Sequence, residues 1–185
     1  RAQLDHIAVN SGAALARWQT MLDLAGKSVR IGFSGATMLS GAEHGDTTLV
    51  VNHGEPHQSS RELYKAAVDG RATGAFQGKI VVAQGAQKTD ARMMARGLLL
   101  SDDAEFTAKP ELEIFADDVQ CGHGATAGEL SDTELFYLMS RGIPRAEAER
   151  LLIEAFLADA IDAAGDEAIG TALKGVVSAW LARRG

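Results

Sequence analysis

Only one cysteine, Cys121, occurs in the 185 residues, so no disulfide can close within the chain, and the reducing cytosol is the expected compartment. Clustered basic residues are missing as well. Eighteen Lys and Arg stand against 25 Asp and Glu, for a net charge of −7, and the closing Arg183–Arg184 pair is too short to form a phosphate-binding patch. Nucleic acid is therefore excluded as an expected partner. No run approaches the roughly 18 consecutive apolar residues that a membrane span needs. Nor is there a charged-then-apolar leader. The chain opens on Arg1 rather than Met, which points to a fragment or processed chain with residues upstream.

What is present divides into two textures. Hydrophobic residues make up 46% and charged residues 23%, ordinary for a globular protein long enough to bury a core. Of the 20 glycines, 15 precede residue 130, and the remainder of the chain is rich in Ala, Leu and Glu. A boundary near Glu129–Ser131 is expected, giving a core domain over 1–129 and a helical domain over 130–185.

The second part reads as three helices. In "SDTELFYL", Ser131 and Glu134 have capping-box spacing. Leu135, Phe136, Leu138 and Met139 give the first helix an apolar face, and Gly142 with Pro144 stops it. The second helix starts near Pro144, carries the stripe Ala148, Leu151, Leu152, Ala155, Phe156 and Ile161, and ends at Gly165. The third carries Ile169, Leu173, Val176, Val177, Trp180 and Leu181, and closes on basic residues that suit a helix C-terminus.

The first part is a series of short runs, "TLVVNH", "AFQGKIVVAQ", "GLLLS" and "PELEIFADDV", bounded by turn-forming residues. Two further segments, "GAALARWQTMLDLAG" and "SSRELYKAAVDG", are helical by propensity, although "ELYKAAV" also alternates as a strand does. Serial strands without regular helices suggest a sandwich, a barrel or a solenoid of β-coils, and periodicity does not choose among them.

Most candidate motifs fail on chemistry. "AGKSV" at 25–29 lacks the glycine that a phosphate loop needs five positions before Gly26; Met21 is there instead. Gly70, Gly74 and Gly78 match no nucleotide fingerprint and suit tight coil corners. His44, His53 and His57 lie near one another in sequence, but no accompanying cysteine or recognised ligand spacing supports a metal site, so surface or turn roles are expected. Asp117 and Asp118 are sequential; on a strand they would face opposite ways, which argues against the paired carboxylates of a polysaccharide-active β-helix enzyme.

The stretch "ADDVQCGHGATAG" is different. If the strand begun at Leu112 continues through it, Cys121 and His123, at i and i+2, share a face, and Gly122 and Gly124 leave the backbone open. Thiolate plus imidazole suits iron, zinc or iron–sulfur species. The pair is only half of a tetrahedral site. A buried small cysteine beside a hydrogen-bonded histidine is the alternative, and a Cys–His nucleophile would lack an orienting third group.

"AQKTDA", "KPELEIFADDV", the C-x-HGAT motif at 121–126 and "LFYLMSRGI" resemble, in order and spacing, the C-terminal part of the SufB/SufD family of iron–sulfur cluster assembly proteins, its SufD branch more than its SufB branch. The resemblance is densest over residues 76–165 and extends from Arg1 to the end. It implies a mainly β fold, a right-handed parallel β-helix core followed by a small α-helical C-terminal domain, with "ALARWQTML" and "RELYKAAV" as strands. It implies a non-catalytic scaffold subunit that pairs with SufB and docks the ABC-type ATPase SufC, in the cytoplasm. No cofactor would be held tightly; a transient cluster or iron would be shared with SufB. His123 carries over as the residue that builds the nascent cluster, with Cys121 the weaker candidate and Gly122 standing where serine is usual. The helical domain is the expected SufC-docking element. Phe136, Tyr137 and Arg141 are its candidate contacts, because the first helix has more apolar surface than a small bundle needs. Packing of these residues onto the end of the β-helix is the alternative. One other function stays open, an adaptor with no ligand role, and uncapped edges also allow a homodimer when SufB is absent.

Overall fold

The computed structural model describes residues 2–184. Among them, nine strands and three helices follow in order: β1 (Gln3–Ser11), β2 (Leu15–Leu24), β3 (Arg30–Leu39), β4 (His44–His53), β5 (Ser59–Val68), β6 (Thr73–Val82), β7 (Asp90–Leu99), β8 (Glu105–Ile114), β9 (Gln120–Gly128), α1 (Asp132–Met139), α2 (Arg145–Asp162) and α3 (Glu167–Arg184). Odd strands form one parallel sheet in the order β1-β3-β5-β7-β9, and even strands form a second in the order β2-β4-β6-β8. Each strand pairs with the strand two later, never with its neighbour in sequence. The chain therefore winds as a solenoid of parallel coils, as the family resemblance implied. Both segments with helical propensity are strands, β2 and β5. Stacking between coils overrides local preference there, because each strand lies against the one a turn earlier.

Alternation fills the space between the sheets. Tyr64, Ala66 and Val68 of β5 face inward with Leu49 and Val51 of β4 and Phe76 and Ile80 of β6. Tyr64 stacks on Phe76 with ring centroids 4.6 Å apart, and its hydroxyl is held by Thr37 at 2.9 Å and Thr47 at 3.3 Å. Large inward side chains face glycines: a Cβ on Gly35 would meet the Tyr64 ring at 2.7 Å, and one on Gly97 would meet the Phe106 ring at 2.2 Å. Turns stack as strands do. Ser28, His57 and Lys88 all have positive φ, near 60°, and their backbone N–H groups donate to Pro56, Gln87 and Asp118 one coil further on. Gly70, at φ 69°, sits so close to Gly41 of the preceding coil that a Cβ would lie 2.9 Å from its backbone.

The helices form a layer on the outer face of the odd sheet. Ile153, Leu157, Ala160 and Ile161 of α2, with Val177, Trp180 and Leu181 of α3, pack on Ala36, Met38, Ala67 and Leu98. The buried face of α2 thus differs from the expected stripe: Ala148 and Ile161 hold, but Ile153, Leu157 and Ala160 replace Leu151, Leu152, Ala155 and Phe156. Apolar and charged residues are interleaved around this helix, so periodicity alone does not fix which face turns to the sheet.

Lys65 lies under α2 with its side chain 2% exposed, paired to Asp159 at 2.5 Å and capped by the Phe156 ring at 4.5 Å. Asp159 is 67% exposed, so water weakens the pair. Asp159→Ala strands a buried ammonium, and a loss of about 1–2 kcal/mol is expected in urea unfolding; Lys65→Met, which removes the charge and keeps the volume, should be close to neutral.

Candidate functional site

Cys121 and His123 both lie on β9, the last strand of the odd sheet. This strand does not continue the run from Leu112. Leu112 belongs to β8 in the other sheet, and the chain turns between Ile114 and Gln120 before β9 begins. Asp117 and Asp118 fall in that turn, where Asp118 pairs with Lys88, so the opposite-face argument for them does not apply. The shared face of Cys121 and His123 survives, because both belong to one strand.

Register places each of them. Cys121 pairs with Ala91, which pairs with Ser60; His123 pairs with Met93, which pairs with Glu62. Ala91 and Met93 belong to the interior cluster against which Cys121 packs, so thiol and imidazole both stand on the inward face. β9 pairs only with β7, which leaves its other edge free. His123 is exposed and Cys121 half-buried at this open rung. Gly122 has nothing within 4 Å of an added Cβ, so the backbone there is approachable from outside.

Burial pushes the Cys121 thiol up, the nearby charges of Asp90 and Glu62 push the same way, and a hydrogen bond with the Ala91 backbone pulls against them. A raised thiol is a poor nucleophile at neutral pH. It suits a ligand that deprotonates when metal arrives.

Behind this edge lies a polar tract that the motif reading missed. Glu62 is inward and 4% exposed, and neither carboxylate oxygen has a hydrogen-bond partner. Burial pushes it up to about 7, with the Ser60 hydroxyl and the Arg61 charge pulling back. His53 of β4 is 1% exposed, with Nε2 3.0 Å from Ser60 Oγ and Nδ1 unpartnered. Burial pushes it down to about 4 against the Gln58 side chain. Of the three clustered histidines, His57 is a turn residue as expected, whereas His53 is interior rather than at the surface. The signal was available: in "SSRELYKAAV", Glu62 has the parity of Ser60, Tyr64 and Ala66. Among the described residues, no three His, Cys, Asp or Glu side chains stand close enough together to hold an ion as they are.

A cavity of about 800 Å³ crosses β3, β5, β7 and β9, with Gly32, Ser34, Arg61, Arg92, Met94 and Ala163 among its lining residues. None of its lining residues belongs to the even sheet. Glu62, Cys121 and His123 are among its lining residues as well.

On α1, Ser131 caps Glu134 N at 3.3 Å and Leu135 alone is buried. Phe136 is 74% and Tyr137 55% exposed. Arg141 lies over the Tyr137 ring at 4.3 Å and donates to its hydroxyl at 2.7 Å. These three residues form an outward apolar knob, not packing against the end of the solenoid.

A parallel β-solenoid with a helical layer on one face and a thiol–imidazole pair on its last free strand defines the structural class. The chain belongs to the SufB/SufD family: the family model described as SUF system FeS cluster assembly, SufBD core domain, matches residues 1–156. It is 41% identical over 158 residues to the iron–sulfur cluster assembly SufBD family protein slr0076 of Synechocystis, covering 84% of this chain and 34% of that protein. It is 39% identical to the iron–sulfur cluster assembly protein SufD of Escherichia coli (85% of this chain, 37% of that one), and 37% identical to SufD of Bacillus subtilis (71% and 30%). The chain thus spans about a third of the length of these relatives. No helix among the described residues is long and apolar enough to cross a membrane.

Proposed function

We propose that this chain is the ligand-bearing part of a SufD-type scaffold subunit in cytoplasmic iron–sulfur cluster assembly, pairing with SufB and docking the SufC ATPase, with no catalysis of its own. The observation that carries this reading is the placement of Cys121 and His123 on one face of a strand whose second edge is free. An unpaired strand edge is a template for another chain, and half of a coordination shell set on that edge is completed by whatever chain pairs there. Iron or a nascent cluster is then a shared substrate, held transiently between subunits, with His123 the principal ligand from this side and Cys121 beside it. Without SufB, the same edge would let two copies of this chain pair. The knob of Phe136, Tyr137 and Arg141 is the docking surface for SufC, an apolar patch with a stacked guanidinium of the kind that anchors interfaces.

The test is cluster formation by the complex with SufB and SufC under anaerobic conditions. His123→Ala should lower cluster yield at least about tenfold, the scale of a lost metal-site group, with a smaller loss for Cys121→Ser. Unchanged yield from an intact His123→Ala complex would overturn the ligand role and leave an adaptor. A Phe136→Ala, Tyr137→Ala double variant should lose SufC in a pull-down while retaining SufB.

A further inference from the structure

We propose that Glu62 is a third protein ligand, reaching from inside the coil to ferrous iron held at the Cys121–His123 edge; the inference rests on the functional reading above. A carboxylate 4% exposed with two unpartnered oxygens is costly to keep in a core. The Ser60 hydroxyl and the Arg61 charge offset that cost only in part. Arg61, next in sequence, points to the opposite face and is committed to Asp90 at 2.5 Å. The Ser60 hydroxyl is shared with His53, whose Nε2 lies 3.0 Å from it.

The register gives this carboxylate a route to the edge. Glu62, Met93 and His123 form one inward row, and Ser60, Ala91 and Cys121 form the row beside it. Met93 fills the first row, with its sulfur seated over Gly78. Ala91 offers only a methyl in the second. A glutamate arm on β5 therefore reaches the edge over Ala91, toward Cys121. Strands β5 and β9 are two spacings apart, roughly 10 Å, which the two side chains span with an ion between them. The Glu62 charge is already felt at the Cys121 thiol. Carboxylate oxygen, imidazole nitrogen and thiolate sulfur together suit ferrous iron. The three groups do not converge as they stand, so loading must draw the Glu62 arm toward the edge and away from the Ser60 hydroxyl.

Anaerobic titration of the chain with Fe(II) against a chromophoric chelator tests this, with Mössbauer spectra of the loaded protein as the second readout. Glu62→Gln keeps length and loses charge; Glu62→Asp keeps charge and loses reach. Both should weaken Fe(II) binding about tenfold, and the Glu62→Gln, Cys121→Ser double variant should lose less than the product of the single losses. Wild-type affinity in Glu62→Gln, alongside weakened Cys121→Ser and His123→Ala, would overturn this inference alone. Wild-type affinity in Glu62→Asp with a weakened Glu62→Gln would also overturn it, because charge without reach would then suffice. If none of the substitutions changes Fe(II) binding, the ligand reading falls with it. A thermal melt of each variant establishes that it is folded.

Discussion

Gly97→Ala should be among the most destabilising single-methyl changes in this chain, by about 3 kcal/mol or more, at the upper end of what overpacking a core costs. A Cβ at this position would stand 2.2 Å from Phe106 Cδ1, 2.4 Å from Cγ and 2.8 Å from Cβ. Rotation about χ1 can move the ring but not the Phe106 Cβ, so backbone must shift in β7 or β8. The comparison is Gly78→Ala. There the collision is with Met93 Sδ at 2.2 Å and Cε at 2.8 Å, and also with Phe76 Cε1 at 2.8 Å. The methionine end is flexible and swings aside, while the Phe76 ring must give by a few tenths of an ångström, so a smaller loss of about 1–2 kcal/mol is expected. Urea unfolding of the two variants, with Phe106→Leu added to Gly97→Ala as a partial rescue, separates ring collision from any general intolerance of alanine in these strands. Equal losses for the two glycines would overturn the argument.

These glycines also mark where sequence reading stopped. Gly78 suggested only a coil corner, since the partner that needs its missing side chain, Met93, lies one coil later and in the other sheet. Contacts of that kind are set by register between turns, which no local window contains. The same limit applies to β2 and β5, whose residues favour helix until a stacked neighbour supplies the context; family resemblance, not periodicity, identified them as strands. The three helices were legible because their caps and stops are local: Ser131 bonds Glu134 N, and Gly142 and Gly165 take positive φ after α1 and α2. The packed face of α2 was not legible, because its apolar and charged residues are interleaved around the helix and mark no single stripe. At the site, Cys121 and His123 were legible from i, i+2 spacing within one strand. Glu62, two coils earlier in sequence, was hidden by its distance along the chain, though its parity beside Tyr64 placed it on the inward face.

Glu62→Gln should stabilise the fold above neutral pH by about 3 kcal/mol and leave it unchanged near pH 4. Burial holds the Glu62 carboxyl at about 7 against an ordinary 4.5. A folded-state value above the unfolded one means that protonation favours the fold. Stability linked to this group is therefore complete below about pH 4.5, falls as pH rises toward 7, and is flat beyond. A shift of that size, at 1.36 kcal/mol per unit, gives about 3 kcal/mol as its full extent. His53 works in the opposite sense. Burial holds it at about 4 against 6.5, so its contribution is complete above about pH 6.5 and lost as pH falls toward 4. The two trends overlap and largely cancel between about pH 4.5 and 6.5, so the wild-type curve alone hides both. The difference between wild type and Glu62→Gln isolates the carboxylate: near zero at pH 4, rising through the window, and level above pH 7. A pH-independent difference would mean that the glutamine acts through packing, not charge. The expected gain has a functional corollary. A chain that would be more stable with glutamine keeps a carboxylate for something other than its fold, as sites that bind or react commonly do. Glu62→Gln should therefore raise the melting temperature at pH 8 and weaken Fe(II) binding in the same protein, and a weakened Glu62→Asp beside it separates a ligand role from a mere effect of charge.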